Sequence, residues 1–131
     1  INIKKVKQNR KNYEFLADAY FLSKDRVKGI DALIKAEAIE KDADLSYKIA
    51  RFAFENEDWS KAITYFSQAK KQGYEKYPGR LELLLGISYF EISKYEEALS
   101  FLNESMEFDS SSSAAEGWIN YIKDILGTQN S

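Results

Sequence analysis

The sequence predicts an all-α fold, an α-solenoid of about seven helices stacked as antiparallel pairs. Three observations carry this. First, one helix-turn-helix pattern recurs, with Gly29, Ala62 and Ala98 at steps of 33 and 36 residues. Second, the same steps relate Leu16, Ile49 and Leu85, then Ala17, Ala50 and Gly86, Leu33, Phe66 and Leu102, and Ala36, Ala69 and Ser105. A unit of this period cannot bury its apolar face alone, so stacking supplies the core. Third, the composition suits helices. One Pro and six Gly in 131 residues are too few for a turn-rich β fold, while 44% hydrophobic residues, with nine Tyr, eight Phe and two Trp, furnish a core.

The elements follow in order. The first helix runs from about Arg10 to Ser23, with Tyr13, Leu16, Ala17 and Tyr20 at helical spacing. Asp25 caps the second, which reaches about Glu40; the third covers roughly Ala43 to Asn56, and Asp58 caps the fourth. Gly73 ends the fourth as its left-handed terminal residue. Pro78 opens the fifth, where a missing N–H leaves no bond unmade. Ser93 with Glu96 reads as a capping box for the sixth helix, and Ser113 with Glu116 as another for the seventh, which Gly127 closes. The Ser110–Ser113 run is then a short loop ending in an N-cap.

In the seventh helix Ser113, Glu116, Gly117, Asn120, Lys123 and Asp124 form a polar stripe, opposite Ala115, Trp118, Ile122 and Ile125. That pattern suits a cap on the last apolar face of a stack, so the C-terminus reads as a real end of the fold. No polar-faced cap precedes Arg10. The expected organisation is a basic arm or linker over 1–9, one domain over 10–127, and a tail over 128–131. Within the domain the repeats span about 10–42, 43–76 and 79–112, with the cap helix over 113–127.

Composition also narrows function. The chain has no Cys and no His, which removes disulfides, thiolate metal sites and the commonest general base. No phosphate-binding glycine loop is present. Glu55, Glu57 and Asp58 come nearest to a carboxylate site, but they lie at a helix-turn-helix junction, where acidic caps are expected. An enzyme is therefore not expected, and neither a cofactor nor a metal is implied. No apolar run approaches the roughly 18 residues of a membrane span, and no signal peptide is visible. The chain opens on Ile1, the expectation for a processed product or an excised domain. Cytoplasmic location and export after signal removal both fit.

A net charge of −2 hides an asymmetry. Residues 1–11 carry Lys4, Lys5, Lys7, Arg10 and Lys11 and no acid, whereas residues 81–131 carry nine acids against Lys94 and Lys123. The arm is too short for a nucleic-acid footprint alone, and the acidic end argues against nucleic acid as the main partner.

Two segments, Asp58-Trp59-Ser60-Lys61-Ala62-Ile63 and Lys94-Tyr95-Glu96-Glu97-Ala98-Leu99, share an aromatic-x-x-Ala entry into a second helix. Leu85-Gly86 with Tyr89, and Leu16-Ala17 with Tyr20, share a first-helix pattern. These residues resemble the tetratricopeptide repeat family over about 10–112, with the seventh helix as its usual cap. The chain departs from the family at Lys41, Tyr74 and Ser110, where Pro is usual, and at Arg26 and Gly29 in the first turn. The resemblance implies a right-handed solenoid whose first helices line a concave groove. On that groove it places Phe15, Phe21, Tyr47, Arg51, Phe54, Leu83, Leu84, Ile87 and Phe90. It also places Glu14, Asp18 and Leu84 where some members grip a terminal carboxylate, and only Arg80 keeps a base there. Such a tail is therefore not the expected ligand.

Phe21, Phe54 and Phe90 are equivalent, and either pack between first helices or meet a ligand. Leu83, Leu84, Ile87 and Phe90 cover more of their helix than one packing face requires, which points to an apolar interaction patch. Aromatics and Arg51 are types that anchor interfaces. The expected function is a protein–protein interaction module that holds an apolar or amphipathic segment in the groove. The alternative is a self-assembling structural or assembly-chaperone component whose groove takes its own tail or another copy. A further reading, RNA or membrane contact through the arm with Lys70, Lys71, Tyr74 and Tyr77, is equally explained by solvated helix ends.

Overall fold

Seven helices follow one another among residues 10–130, the part described by the computed structural model, and no strand occurs there. They are α1 (Arg10–Leu22), α2 (Arg26–Ile39), α3 (Ala43–Glu55), α4 (Trp59–Lys71), α5 (Arg80–Glu91), α6 (Tyr95–Ser105) and α7 (Asp109–Asn130). Helices α1 and α2, α3 and α4, and α5 and α6 form pairs; each pair touches the next, and α7 lies on α6 and α5. This is the all-α, solenoid-like stack that the repeat predicts.

The three pairs share one turn, and its strain is periodic. Lys24, Glu57 and Ser93 adopt left-handed φ of 64°, 58° and 63° at equivalent positions. The next residue donates its N–H five residues back in each case: Asp25 to Tyr20 O, Asp58 to Ala53 O and Lys94 to Tyr89 O. These bonds satisfy carbonyls that a helix end leaves free. An L-residue in this conformation costs about 1–2 kcal/mol, so pair packing overrides local preference three times.

Asp25 and Asp58 cap as expected, accepting from the N–H groups of Lys28 and Lys61 at 3.2 and 3.3 Å. The Ser93 capping box does not form. Ser93 falls on the left-handed turn position, Lys94 takes the cap position, and no side chain caps α6. The Ser113 box is also absent, because α7 begins at Asp109 and the serine run forms its first turn. Those serines bond inward: the Ser111 hydroxyl donates to Ser105 O at 2.8 Å.

Gly73 ends α4 as expected, at φ 84°. Pro78 does not open α5; it lies in the turn before Gly79, whose φ is also 84°. Gly79 is required because its φ is left-handed and its surroundings leave no room for a side chain. Its carbonyl receives the buried Ser105 hydroxyl at 2.8 Å. A Cβ there would run into Ser111 Oγ and stand 2.7 Å from Phe108 Cβ.

The core lies between successive units. Leu45 and Ile49 of α3 pack on Ile30, Leu33 and Ala36 of α2. Leu81 and Leu85 of α5 pack likewise on Ala62, Phe66 and Ala69 of α4. Ile119 and Ile122 of α7 close on Ala98 and Leu102 of α6. Burying side chains of the size of Phe66 or Leu102 stabilises by about 1.5–3 kcal/mol each. Leu16, the equivalent of Ile49 and Leu85, is 43% exposed, because no described helix lies beyond α1.

Candidate binding face on the first helices

Helices α1, α3 and α5, continued by α7, offer the face on which the expected groove residues lie. Packing claims most of them. Phe21 stacks on Phe52 with ring centroids 4.0 Å apart. Phe54 meets Trp59 edge-on at 5.2 Å and reaches Phe66. Phe90 touches Tyr95, Trp118 and Tyr121. Leu83 packs against the α6–α7 core, and Leu84 against the α4–α5 core. Ile87 is half-buried. The bare hydrocarbon expected on the third unit is therefore largely covered, and α7 supplies part of the cover. Phe15 stands apart at 74% exposed. Arg51 is exposed and holds Glu55 at 3.4 Å.

Tyr47 is buried, at 4% exposed, and its ring stacks on that of Tyr74, with centroids 4.1 Å apart. Tyr74 comes from the α4–α5 connection. The two phenol hydroxyls are buried close to one another, and neither makes a hydrogen bond of good geometry. Such a buried, unpaired group costs about 1–3 kcal/mol. Burial is the main cause that pushes both phenols above the ordinary tyrosine range, so they persist as O–H donors.

Above this floor opens a cleft of about 290 Å³, bounded by residues of α1, α3 and the α4–α5 connection. No Cα of α1 comes within 8 Å of one in α3, so side chains alone bridge them. Phe21 of α1, stacked on Phe52 of α3, is one bridge, and Arg10 ties α1 to the connection that leads into α3. Its guanidinium meets Glu14 at 3.2 Å, Glu40 at 3.0 Å and Asp42 at 2.7 Å. The hydrogen bond from Arg10 holds the Asp42 carboxyl below its ordinary range. Lys48, Arg51, Lys76 and Tyr77 also line the cleft. Lys76 and Arg80 lie over the Tyr77 ring at 5.9 and 5.7 Å.

A second concavity lies on α7. Ala114, Gly117, Trp118 and Tyr121 line an open, mostly apolar depression of about 300 Å³. The spacing of these residues places them on one side of the helix. A Cβ at Gly117 would meet nothing within 4 Å, and Tyr121 is 53% exposed. The sequence pattern places Gly117 in a polar stripe and Trp118 on the packing face, and assigns no role to Tyr121. The signal was available, since α7 continues the series of first helices and presents its flank to the same face.

Other candidates are otherwise engaged. Lys70 bonds Glu82 at 2.7 Å and Glu104 at 3.0 Å, tying α4 to α5 and α6. Asp58 caps α4, and Glu55 holds Arg51. Among the described residues no group of acids has metal-holding geometry, and no helix is long and apolar enough to cross a membrane. The basic arm over 1–9 lies outside the described residues. No protein-family model matches the chain, and no curated protein matches it either.

Proposed function

We propose that this chain is a non-catalytic protein-interaction module of the tetratricopeptide kind, which seats a segment of a partner on its first-helix face. The observation that carries this reading is the depression on α7. Gly117 leaves open space between Trp118 and Tyr121, and the half-buried rings of Phe90 and Trp118 adjoin it. Aromatic side chains beside an open apolar recess suit an anchoring side chain from an amphipathic helix or an extended segment. The absence of His and Cys supports a role without chemistry. The double pairing of Lys70 speaks against a free basic surface for RNA or membrane.

Gly117→Gln tests the proposal, because the new side chain fills the recess from an exposed helical position. Quantitative affinity capture with the wild type, Gly117→Gln and an α2 control such as Lys35→Gln compares the sites. Partners lost only with Gly117→Gln support the proposal; partners retained by all three chains refute it.

A second reading, self-association, rests on the open face of α1. Phe15 and Leu22 are 74% and 85% exposed, and Leu16 occupies a position that is buried in both later units. Sedimentation across a concentration range tests it, with Phe15→Asp expected to abolish any dimer.

A further inference from the structure

We propose that the depression on α7 is a cation subsite, in which the rings of Trp118 and Tyr121 and the carboxylate of Asp124 receive an arginine side chain from an amphipathic partner segment. This rests on the interaction-module reading and names the side chain that the recess takes.

The rings are the first observation. Phe90, Trp118 and Tyr121 form a triangle with centroids 5.3, 5.6 and 6.0 Å apart and planes inclined by 59°, 57° and 76°. Inclined rings hold one another in place. Phe90 backs the group from α5, while Trp118 and Tyr121 border the recess. Tyr121 is 53% exposed, so part of its π surface is open to a guest. An aromatic face attracts a cation within about 6 Å of its centre. Elsewhere the chain fills such faces itself: Lys76 and Arg80 lie over Tyr77, and Arg51 over Phe52. Among the described residues no lysine or arginine lies over Trp118 or Tyr121.

Charge is the second, independent observation. Residues 81–131 carry nine acids against Lys94 and Lys123. Asp124 follows Tyr121 by three residues and Gly117 by seven, which sets it on the recess side of α7. Asp124 is exposed, as is Glu91 beside Phe90, and neither forms an ion pair among the described residues. Lys123 lies two residues from Tyr121, about 200° round the helix, and so on the far side. Lys94, in the turn after α5, offsets one acid and leaves the recess net acidic. Arg80 on α5 lies over Tyr77, which borders the cleft on α3. Lys70 is held by Glu82 and Glu104.

The shape of the recess selects among cations. It is open, about 300 Å³ in volume, and bare at Gly117. A quaternary ammonium is held by a cage of rings on several sides. A guanidinium needs less: one ring face to stack on and one carboxylate to receive its paired N–H groups. Tyr121 and Asp124, one turn apart, supply these two. The methylene stem of arginine then covers the apolar floor at Ala114 and Gly117. A lysine ammonium is more strongly hydrated and gains less at so open a site.

The test uses three synthetic peptides, acetyl-Ala-Leu-X-Leu-Ala amide, in which X is arginine, citrulline (the same shape without the charge) or methionine. Each is titrated into the isotope-labelled full chain at low salt. The arginine peptide is expected to bind about tenfold more tightly than the citrulline peptide, with amide shifts over Gly117–Asp124. High salt narrows that preference. Asp124→Asn and Tyr121→Leu each lower it about threefold, and Asp124→Asn leaves the methionine peptide unaffected. Equal affinities for the three peptides, with shifts at the recess, overturn the cation subsite and leave the module standing. An arginine preference that survives both substitutions together also overturns the subsite. Absence of binding by any of the peptides overturns it as well, and the module then stands or falls on capture with Gly117→Gln.

Discussion

Gly79 shows how backbone conformation and packing combine to hold the α4–α5 connection, and with it Tyr74, Lys76 and Tyr77 at the cleft. Gly73 provides an internal control. Both glycines have φ 84°, but a Cβ at Gly73 meets nothing within 4 Å, whereas one at Gly79 collides with Ser111 Oγ and Phe108. Gly73→Ala therefore carries only the left-handed penalty of about 1–2 kcal/mol. Gly79→Ala adds an overpacking cost of about 1–3 kcal/mol and disturbs the hydrogen bond from Ser105 to the Gly79 carbonyl, 2.8 Å long. The expected total is about 2–5 kcal/mol, a large share of a stability of about 5–15 kcal/mol. Urea unfolding followed by circular dichroism measures both variants. A Gly79→Ala loss no larger than that of Gly73→Ala would refute the reasoning.

Three further predictions follow from the same geometry. Lys94→Asp places an acceptor at the uncapped α6 terminus, in register with Asp25 and Asp58, and is expected to stabilise by about 1 kcal/mol in thermal or urea unfolding. Glu57→Gly relieves a left-handed residue in an exposed turn and is expected to raise the urea midpoint by the equivalent of about 1 kcal/mol. Arg10→Met removes the bridge to Asp42, with a sign set by pH. The folded carboxyl is held below its ordinary value, so the bridge contributes above the unfolded pKa of about 3.9 and is lost as pH falls through the lower folded value. Unfolding curves are expected to separate the variant from the wild type at neutral pH and to converge in strong acid.

The packing frame was legible because it is periodic. Ala17, Ala50, Ala62, Ala98, Phe66 and Leu102 recur at fixed steps, and all are fully buried. Turn details were less legible, because a turn's register is set by the helices it joins. Ser93 has the chemistry of an N-cap, yet the contact that buries Ala98 moves the cap to Lys94. Ser113 looked like a cap because nothing local shows that Ser111 is drawn in toward Ser105.

The binding face was the least legible part. A phenylalanine at a groove position looks the same whether it is free or, like Phe21, stacked on a Phe52 contributed by the next unit. Tyr74 and Tyr77 belong to a connection without periodicity, and only the fold brings them beside Tyr47.

Amide-shift mapping of a purified partner segment, recovered by capture, on the labelled chain tests the central claim most directly. The account predicts perturbations along α1, α3, α5 and α7, concentrated at Gly117, Trp118 and Tyr121 and absent from the Gly117→Gln variant. Perturbations confined to the outer surfaces of α2, α4 and α6, around Lys35, Thr64 and Asn103, would contradict it.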